Sequence, residues 1–258
     1  MKLENKVAIV TGGGRGIGKE IALAFAREGA NVLVCGRTRD VLDRTANEIN
    51  SIGQRSVAIV SDVTDEMQVA EMVNVAVSRL GQIDILVNNA GIAGPTSAIT
   101  AVSRASWDDT IAANLTSAFL CSRAVIPDMI KRRSGKIINI SSVAGKTAYA
   151  LRSPYAAAKW GMIGLSVTLA EELGGHNIQV NAICPGPTAG ERMTSVIAHR
   201  AKELGLSEAE MEQAFVAKTA LKRMADPKHV AAAALFFASE DSGSVTGEVL
   251  EVSSGYAL

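Results

Sequence analysis

Two side chains near the middle of the chain have the types and the spacing to move a proton between them and a ligand. Tyr155 and Lys159 are four residues apart, and Ser142 lies thirteen residues before the tyrosine. On a helix, residues at this spacing lie one turn apart on the same face. A lysine ammonium there favours the ionised form of the phenol, which ordinarily loses its proton only near about pH 10. The pair therefore indicates a general acid–base function.

A glycine-rich turn about 140 residues upstream gives this pair more weight than it has alone. The turn lies between an apolar strand, Val7–Val10, and a helix that begins at Ile17. Glycines allow tight turning and close backbone approach, and the first turn of a helix offers free N–H groups to a pyrophosphate. The turn residues predicted to contact such a ligand are Gly12, Arg15, Gly16, Ile17 and Gly18. The glycine spacing differs from the G-x-G-x-x-G fingerprint of many dinucleotide-binding proteins. The alternative to a ligand-binding turn is a turn that is merely tight. Together the two features suggest a nicotinamide cofactor held against a substrate oxygen.

The end of the second predicted strand carries arginines where many NAD enzymes carry an acid. An acid at this place binds the ribose 2′-hydroxyl, whereas an arginine accepts a 2′-phosphate. The chain reads Arg37-Thr38-Arg39 here, with no carboxylate before Asp40, and Arg15 could reach the same phosphate. Arginine binds phosphate through two parallel hydrogen bonds. The pattern favours NADP(H); NAD(H) stays possible if these are solvated loop arginines.

Short apolar runs alternate with amphipathic stretches along the chain. The predicted strands are Val7–Val10, Val32–Cys35, Val57–Val60, Ile83–Val87, Lys136–Ile140, Ile178–Ile183 and Glu248–Val252. The predicted helices are Ile17–Glu28, Asp40–Ile52, Glu66–Leu80, Ser103–Lys131, Tyr155–Leu173 and Pro227–Ser239. This alternation predicts an α/β fold, a doubly wound parallel sheet of about seven strands with helices on both faces. We expect one domain over residues 1–258.

One segment, at about 187–222, interrupts the alternation with a mixture of polar and apolar residues and no strand. Because it follows the carboxyl end of a strand, we expect it to cover the substrate. A surface excursion without a role is the alternative.

Composition limits the class of protein. The chain has 258 residues, 48% of them hydrophobic, with 26 Lys plus Arg against 26 Asp plus Glu. This balance does not favour nucleic acid or an anionic membrane as partner. The three cysteines are far apart and without C-x-x-C spacing, which argues against a disulfide framework or a zinc site and is compatible with the cytoplasm. The three histidines also lack ligand-like spacing, so no metal is expected.

The order of these motifs resembles the short-chain dehydrogenase/reductase family over essentially the whole chain. The matching residues are Thr11-Gly12-x-x-x-Gly16-Ile17-Gly18, Asp62-Val63, Asn88-Asn89-Ala90-Gly91, Asn114, Ser142, Tyr155-x-x-x-Lys159 and Pro185-Gly186. The resemblance implies a Rossmann-type fold and four active-site residues, which are Asn114, Ser142, Tyr155 and Lys159. It also implies assembly as a homotetramer, or a homodimer, through the helices near Ser103–Lys131 and Tyr155–Leu173.

The same resemblance assigns cofactor contacts beyond the glycine turn. Asp62 contacts the adenine amino group with Val63 beside it, and Asn89, Ala90 and Gly91 line the adenine-ribose side. Pro185 and Gly186 run beside the nicotinamide, and Lys159 binds the nicotinamide ribose. Many relatives hold the carboxamide with a threonine where this chain has Gly190. Thr188 is expected to replace it, or the backbone alone holds the carboxamide.

By this resemblance the chain is an NADPH-dependent oxidoreductase acting on a small carbonyl compound or alcohol, similar to 3-oxoacyl-carrier-protein reductases and general ketone reductases. Tyr155 donates the proton, Ser142 hydrogen-bonds the substrate oxygen, and Asn114 helps hold a water in a proton relay to Lys159. The alternatives are a dehydrogenase that oxidises a secondary alcohol, polyol or hydroxy acid, and a non-catalytic cofactor-sensing protein. Arg152, three residues before Tyr155, either orients an anionic substrate or is a solvent-facing or intersubunit arginine.

Overall fold

The strands of the computed structural model, which describes residues 1–257, form one parallel sheet. In chain order they are β1 (Val7–Thr11), β2 (Asn31–Gly36), β3 (Ser56–Val60), β4 (Ile85–Asn88), β5 (Gly135–Ile140), β6 (Ile178–Pro185) and β7 (Val249–Val252). Their order across the sheet is β3-β2-β1-β4-β5-β6-β7, and every pairing is parallel. The order reverses between β1 and β4, where doubly wound sheets open a crevice for ligands. The predicted Rossmann-type sheet is therefore confirmed.

Nine α-helices connect or cover these strands within the described residues. They are α1 (Gly16–Arg27), α2 (Arg39–Ser51), α3 (Glu66–Leu80), α4 (Arg104–Ile111), α5 (Ser117–Arg132), α6 (Ser153–Gly174), α7 (Glu191–Leu204), α8 (Glu208–Ala217) and α9 (Pro227–Ala238). Each predicted element except the long helix Ser103–Lys131 is confirmed within two residues at either end. The predicted long helix is divided, because residues Ala112–Thr116 form one π-helical stretch between α4 and α5.

Two layers of helices bury the two faces of the sheet. Helices α1, α2 and α9 pack on one face around fully buried side chains such as Phe25 and Phe237. Helices α3, α5 and α6 pack on the other face around Met72 and Met129. Because both faces are covered, the central strands are apolar on both sides rather than alternating. No helix of residues 1–257 is both long and apolar enough to cross a bilayer.

The segment at 187–222 forms a helical cover beside the carboxyl edge of the sheet. Helices α7 and α8 bury Val196, Ile197, Met211 and Phe215 in a small cluster of their own. That cluster also contains Val143, which follows Ser142 at the end of β5. The cover is thus tied to the edge of the sheet that carries the predicted catalytic residues. Leu258, the last residue of the predicted domain, lies outside the described residues.

Candidate active site

The glycine turn is held against the end of β4 by side chains of both segments. The Thr11 hydroxyl accepts hydrogen bonds from the backbone N–H groups of Asn89 and Ala90, each at 3.0 Å. The Asn89 amide donates to the carbonyl oxygens of Thr11 at 2.8 Å and Gly12 at 3.3 Å. A Cβ added to Gly18 would lie 2.4 Å from the Gly12 carbonyl oxygen. Glycine is thus required at position 18 for packing of the turn.

The geometry of this turn fits an anionic ligand at the start of α1. Arg15 is the N-cap residue, its side chain makes no capping hydrogen bond, and the first turn contains no acidic residue. The N–H groups of that turn therefore have no side-chain acceptor, and the helix dipole adds positive potential. Gly16 has a φ of +53°, and no atom lies within 4 Å of where its Cβ would be. A pyrophosphate can approach this backbone closely.

Ser142, Tyr155 and Lys159 are brought together by β5 and α6. Ser142 follows β5, and its hydroxyl oxygen accepts a hydrogen bond from the backbone N–H of Ala144 at 3.1 Å. A Cβ at Gly145 would lie 2.6 Å from the Lys159 carbonyl oxygen, so the turn after Ser142 packs directly on α6. The Lys159 Nζ lies 5.7 Å from the centroid of the Tyr155 ring. The structure thus packs the turn that follows Ser142 against the helix that carries Tyr155 and Lys159.

Lys159 is almost fully buried, at 3% exposure, and its Nζ donates to the Ile140 carbonyl oxygen at 2.8 Å. Burial, and to a lesser extent the positive charge of Arg192, lower the pKa of this lysine from 10.5 to about 7. A buried ammonium is unfavourable without a compensating negative charge. A bound anion near Lys159 would stabilise its protonated form.

Asn114 lies within the π-helical stretch and is completely buried. Its amide nitrogen donates to the carbonyl oxygens of Ile92 at 3.1 Å and Thr110 at 2.8 Å, while its Oδ1 has no partner within the described chain. A Cβ at Gly91 would lie 2.4 Å from that Oδ1. The stretch therefore turns one polar side chain inward against the loop after β4. π-bulges inside helices occur frequently at functional sites.

The residues predicted to bind the far end of the cofactor lie at the ends of β2 and β3. Arg37 is exposed directly after β2, and Thr38 is the N-cap residue of α2. Asp62 accepts hydrogen bonds from Thr64, and Val63 is buried beside it. From β2 to β5 the sheet has three strand spacings, about 15 Å. A single ligand touching Arg37 and Ser142 would have to be extended over this distance.

The remaining predicted residues border the cover. β6 ends at Pro185, and the Gly186 N–H donates to the Val252 carbonyl oxygen at 3.1 Å. The Thr188 hydroxyl donates to the Gly186 carbonyl oxygen at 2.9 Å. Arg15 of the glycine turn lies 3.9 Å from Glu191 at the start of α7. The glycine turn and the cover therefore meet beside the predicted pyrophosphate site.

The structure brings two arginines of α7 to the site. Arg192 on α7 donates to the Gly91 carbonyl oxygen at 2.6 Å. Arg200 lies eight residues further along α7, and its guanidinium carbon is 5.4 Å from the centroid of the Tyr149 ring. Arg152 is buried, so the expectation of a solvent-facing Arg152 is wrong. Among residues 1–257, no three His, Cys, Asp or Glu side chains are grouped to hold a metal ion.

The glycine turn, the parallel sheet and the Ser–Tyr–Lys arrangement define a class, and comparison with known proteins gives the same class. The family model described as short chain dehydrogenase matches residues 6–201. The chain belongs to the short-chain dehydrogenase family, and it is an NAD(P)-dependent dehydrogenase or reductase. This confirms the family predicted from the motifs.

Individual relatives match over the whole chain. The 3-oxoacyl-[acyl-carrier-protein] reductase FabG of Thermotoga maritima is 38% identical over 258 residues, which cover 100% of both chains. An NAD+-bound xylitol dehydrogenase structure superposes with a TM-score of 0.96 at 29% identity, covering 99% of this chain and 100% of that one. An actinorhodin polyketide ketoreductase with NADPH has a TM-score of 0.94 at 33% identity, covering 98% and 97%.

Proposed function

We propose that this protein is an NADPH-dependent oxidoreductase that transfers a hydride between the nicotinamide and a carbonyl or secondary alcohol carbon, with Tyr155 as general acid and base. The observation that carries the proposal is the packing of the Ser142 turn on α6 beside Tyr155 and the buried Lys159. These groups lie at the carboxyl edge of the sheet, where open α/β sheets bind ligands.

The cofactor supplies the hydride, and the residues of the chain bind the reactants and handle the proton. Tyr155 gives its hydroxyl proton to the carbonyl oxygen as the carbon is reduced, and Ser142 donates a hydrogen bond to that oxygen. In its protonated form, Lys159 stabilises the phenolate left behind and binds the nicotinamide ribose. Asn114 holds a water in the relay that returns a proton. In the reverse direction Tyr155 acts as the base toward an alcohol.

The first turn of α1, with Gly12, Gly16, Ile17 and Gly18, holds the pyrophosphate. The adenine side contacts Asp62, Val63 and the loop of Asn89, Ala90 and Gly91, and the nicotinamide side contacts Pro185, Gly186 and Thr188. The Asn89 side chain already bonds to the glycine turn. We therefore propose that the Asn89 side chain positions the glycine turn, and that the backbone of Asn89 contacts the cofactor.

The preference for NADPH is supported by the charges at the end of β2. Arg37 is exposed there without an acid before Asp40, whereas the 65% exposed side chain of Arg15 lies 3.9 Å from Glu191 of α7. A guanidinium at the end of β2 favours a 2′-phosphate over a free ribose hydroxyl. Among the neighbours, structures with NAD+ and with NADPH both occur. Wild-type kcat/KM ratios for NADPH and NADH test this preference, and Arg37→Ala should lower the ratio by about 10-fold.

Assembly as a homotetramer is supported by apolar side chains on the outer surfaces of two helices. Phe119 on α5 is 43% exposed, and Trp160 and Val167 on α6 are 53% and 40% exposed. Exposed apolar groups clustered on a pair of helices are typical of an interface. Light scattering of the purified protein gives the oligomeric state. A location in the cytoplasm stays a prediction.

The test of the proposed function is NADPH oxidation, followed by absorbance, with a panel of ketones, oxo acids and oxo esters. The reverse assay uses NADP+ with secondary alcohols, polyols and hydroxy acids, and it decides between the reductase and the dehydrogenase direction. Turnover of at least one carbonyl compound or alcohol is expected. Cofactor binding without turnover of any member of either panel would instead favour a cofactor-sensing protein.

A further inference from the structure

Arg152 occupies a position that is unusual for an arginine. It precedes α6, three residues before Tyr155, and it is only 2% exposed. Its guanidinium carbon lies 5.2 Å from the centroid of the Tyr155 ring and 6.0 Å from that of Tyr149. The charge is therefore buried against the ring that bears the proposed catalytic hydroxyl.

This buried charge has no negative partner in the described chain. No ion pair among residues 1–257 includes Arg152. Its Nη2 donates to the carbonyl oxygen of Ala93, in the loop after β4, but its buried Nε has no hydrogen-bond partner. Removing a guanidinium from water without an opposite charge is strongly unfavourable. A residue of this kind is stabilised when a ligand brings the missing charge.

A second guanidinium increases the positive charge at this place. Arg200 reaches from α7 to the same Tyr149 ring, at 5.4 Å, and its Nη1 donates to the Ala150 carbonyl oxygen at 3.2 Å. The Nε of Arg200 is also buried without a partner. Burial lowers the pKa of Arg152. Tyr149 and Tyr155 act in the opposite direction, and the charges of Arg200 and Arg192 lower the pKa by smaller amounts. Two like charges on one ring repel each other, and an anion between the cover and α6 would relieve that repulsion.

We propose that Arg152 binds a carboxylate on the substrate while Tyr155 faces the reacting oxygen, so that the substrates are oxo acids and the corresponding hydroxy acids. This inference rests on the proposed function and narrows its substrate class. The planar guanidinium binds a carboxylate through two parallel hydrogen bonds, for which the unpaired Nε is available. Because the guanidinium lies against the Tyr155 ring, only a few carbon atoms separate the carboxylate from the carbonyl. The cover reaches the loop that carries Arg152 through Arg200.

The experiment compares oxo acids with neutral analogues of nearly the same shape. The probes are pyruvate, acetoacetate and levulinate, each paired with its methyl ester, and dihydroxyacetone phosphate paired with dihydroxyacetone. NADPH-dependent kcat and KM are measured for wild type, Arg152→Met and Arg152→Lys. Arg79→Met, which removes an exposed arginine on α3, is the matched control.

Wild type should prefer at least one carboxylate over its ester. In Arg152→Met the kcat/KM for that acid should fall about 10- to 100-fold, mainly through KM, while the value for the ester stays within about twofold. Arg152→Lys should keep part of the selectivity, and Arg79→Met should keep all of it. If Arg152→Met does not fold by circular dichroism, Arg152→Lys and the wild-type selectivity decide.

Three results would overturn the proposal. Equal losses of kcat/KM on acid and ester in Arg152→Met would assign Arg152 a structural role only. A wild type that prefers no acid over its ester would contradict a carboxylate site. Selectivity for the phosphate ester alone would assign a different anion to the site. Each of these requires turnover of some probe. Absence of turnover with every ketone, ester and acid would contradict the proposed function itself.

Discussion

Replacement of Lys159 by Met tests the energetic consequence of a buried ammonium at the site. Methionine has a similar length and no charge, so the change removes the ionisable group with little loss of packing. The variant should be inactive as an oxidoreductase. It should also be more stable than wild type at low pH, because wild type there must bury a charge that has no partner in the described chain.

The size of the effect follows from the two protonation equilibria of the lysine. Its pKa is about 7 in the folded chain, against an ordinary value of 10.5. Between these two values the unfolded chain binds more protons than the folded chain, so wild-type stability rises with pH over this interval. The unfolding free energy of Lys159→Met minus that of wild type should therefore fall by about 4 kcal/mol between pH 6 and pH 10. Loss of the wild-type hydrogen bond from Lys159 to Ile140 lowers the unfolding free energy of the variant by about 1 kcal/mol at all pH values.

The assay is urea unfolding of cofactor-free protein at pH 6, 8 and 10, followed by far-ultraviolet circular dichroism at one protein concentration. The quantity of interest is the difference in unfolding free energy between variant and wild type at each pH. Lys131→Met, at an exposed position, is the control and should show no comparable trend. A Lys159→Met difference that stays constant from pH 6 to pH 10 would refute the reasoning.

Two further substitutions test the packing of the glycine turn and the contribution of the buried Asp84–Arg132 pair to stability. Gly18→Ala should weaken NADPH binding at least about 10-fold, measured by fluorescence titration, because the added methyl group would meet a backbone oxygen at 2.4 Å. Gly174→Ala, with no atom within 4 Å of the new methyl group, should leave binding unchanged, and equal effects would contradict the packing argument. Asp84→Ala should lower the unfolding free energy by about 3 kcal/mol, since the buried carboxylate accepts from the Val7 N–H at 2.9 Å and lies 3.4 Å from Arg132. A loss below about 0.5 kcal/mol in thermal or urea unfolding would show that this buried pair contributes nothing.

The architecture of the chain could be predicted almost completely from its sequence. Strands buried on both faces are continuous apolar runs, and the glycine turn marks the first strand–helix connection. The handedness of the crossovers then limits the possible strand orders to a few. The interruption at Ala112–Thr116 was not predicted, although Asn114 is a residue type that is unfavourable in a helix interior.

The charges of the site were much harder to predict than its backbone. Arg152 stands in an exposed-looking loop sequence, and its burial depends on Tyr149 of the same loop and on Ala93 of the loop after β4. The contribution of Arg200 depends on how α7 packs against the loop before α6, a contact between residues 50 positions apart. Local patterns carry no information about such contacts, because they arise only when the cover packs on the sheet.

The reaction assigned to this site depends on the Tyr155 hydroxyl, and Tyr155→Phe removes that group while keeping the ring. With NADPH and any substrate found for the wild type, turnover by the variant should fall at least about 1000-fold. NADPH binding, measured by fluorescence, should stay within about threefold of wild type because the glycine turn and the start of α1 are unchanged. Turnover by Tyr155→Phe within about tenfold of wild type would contradict the assignment of Tyr155 as the general acid and base.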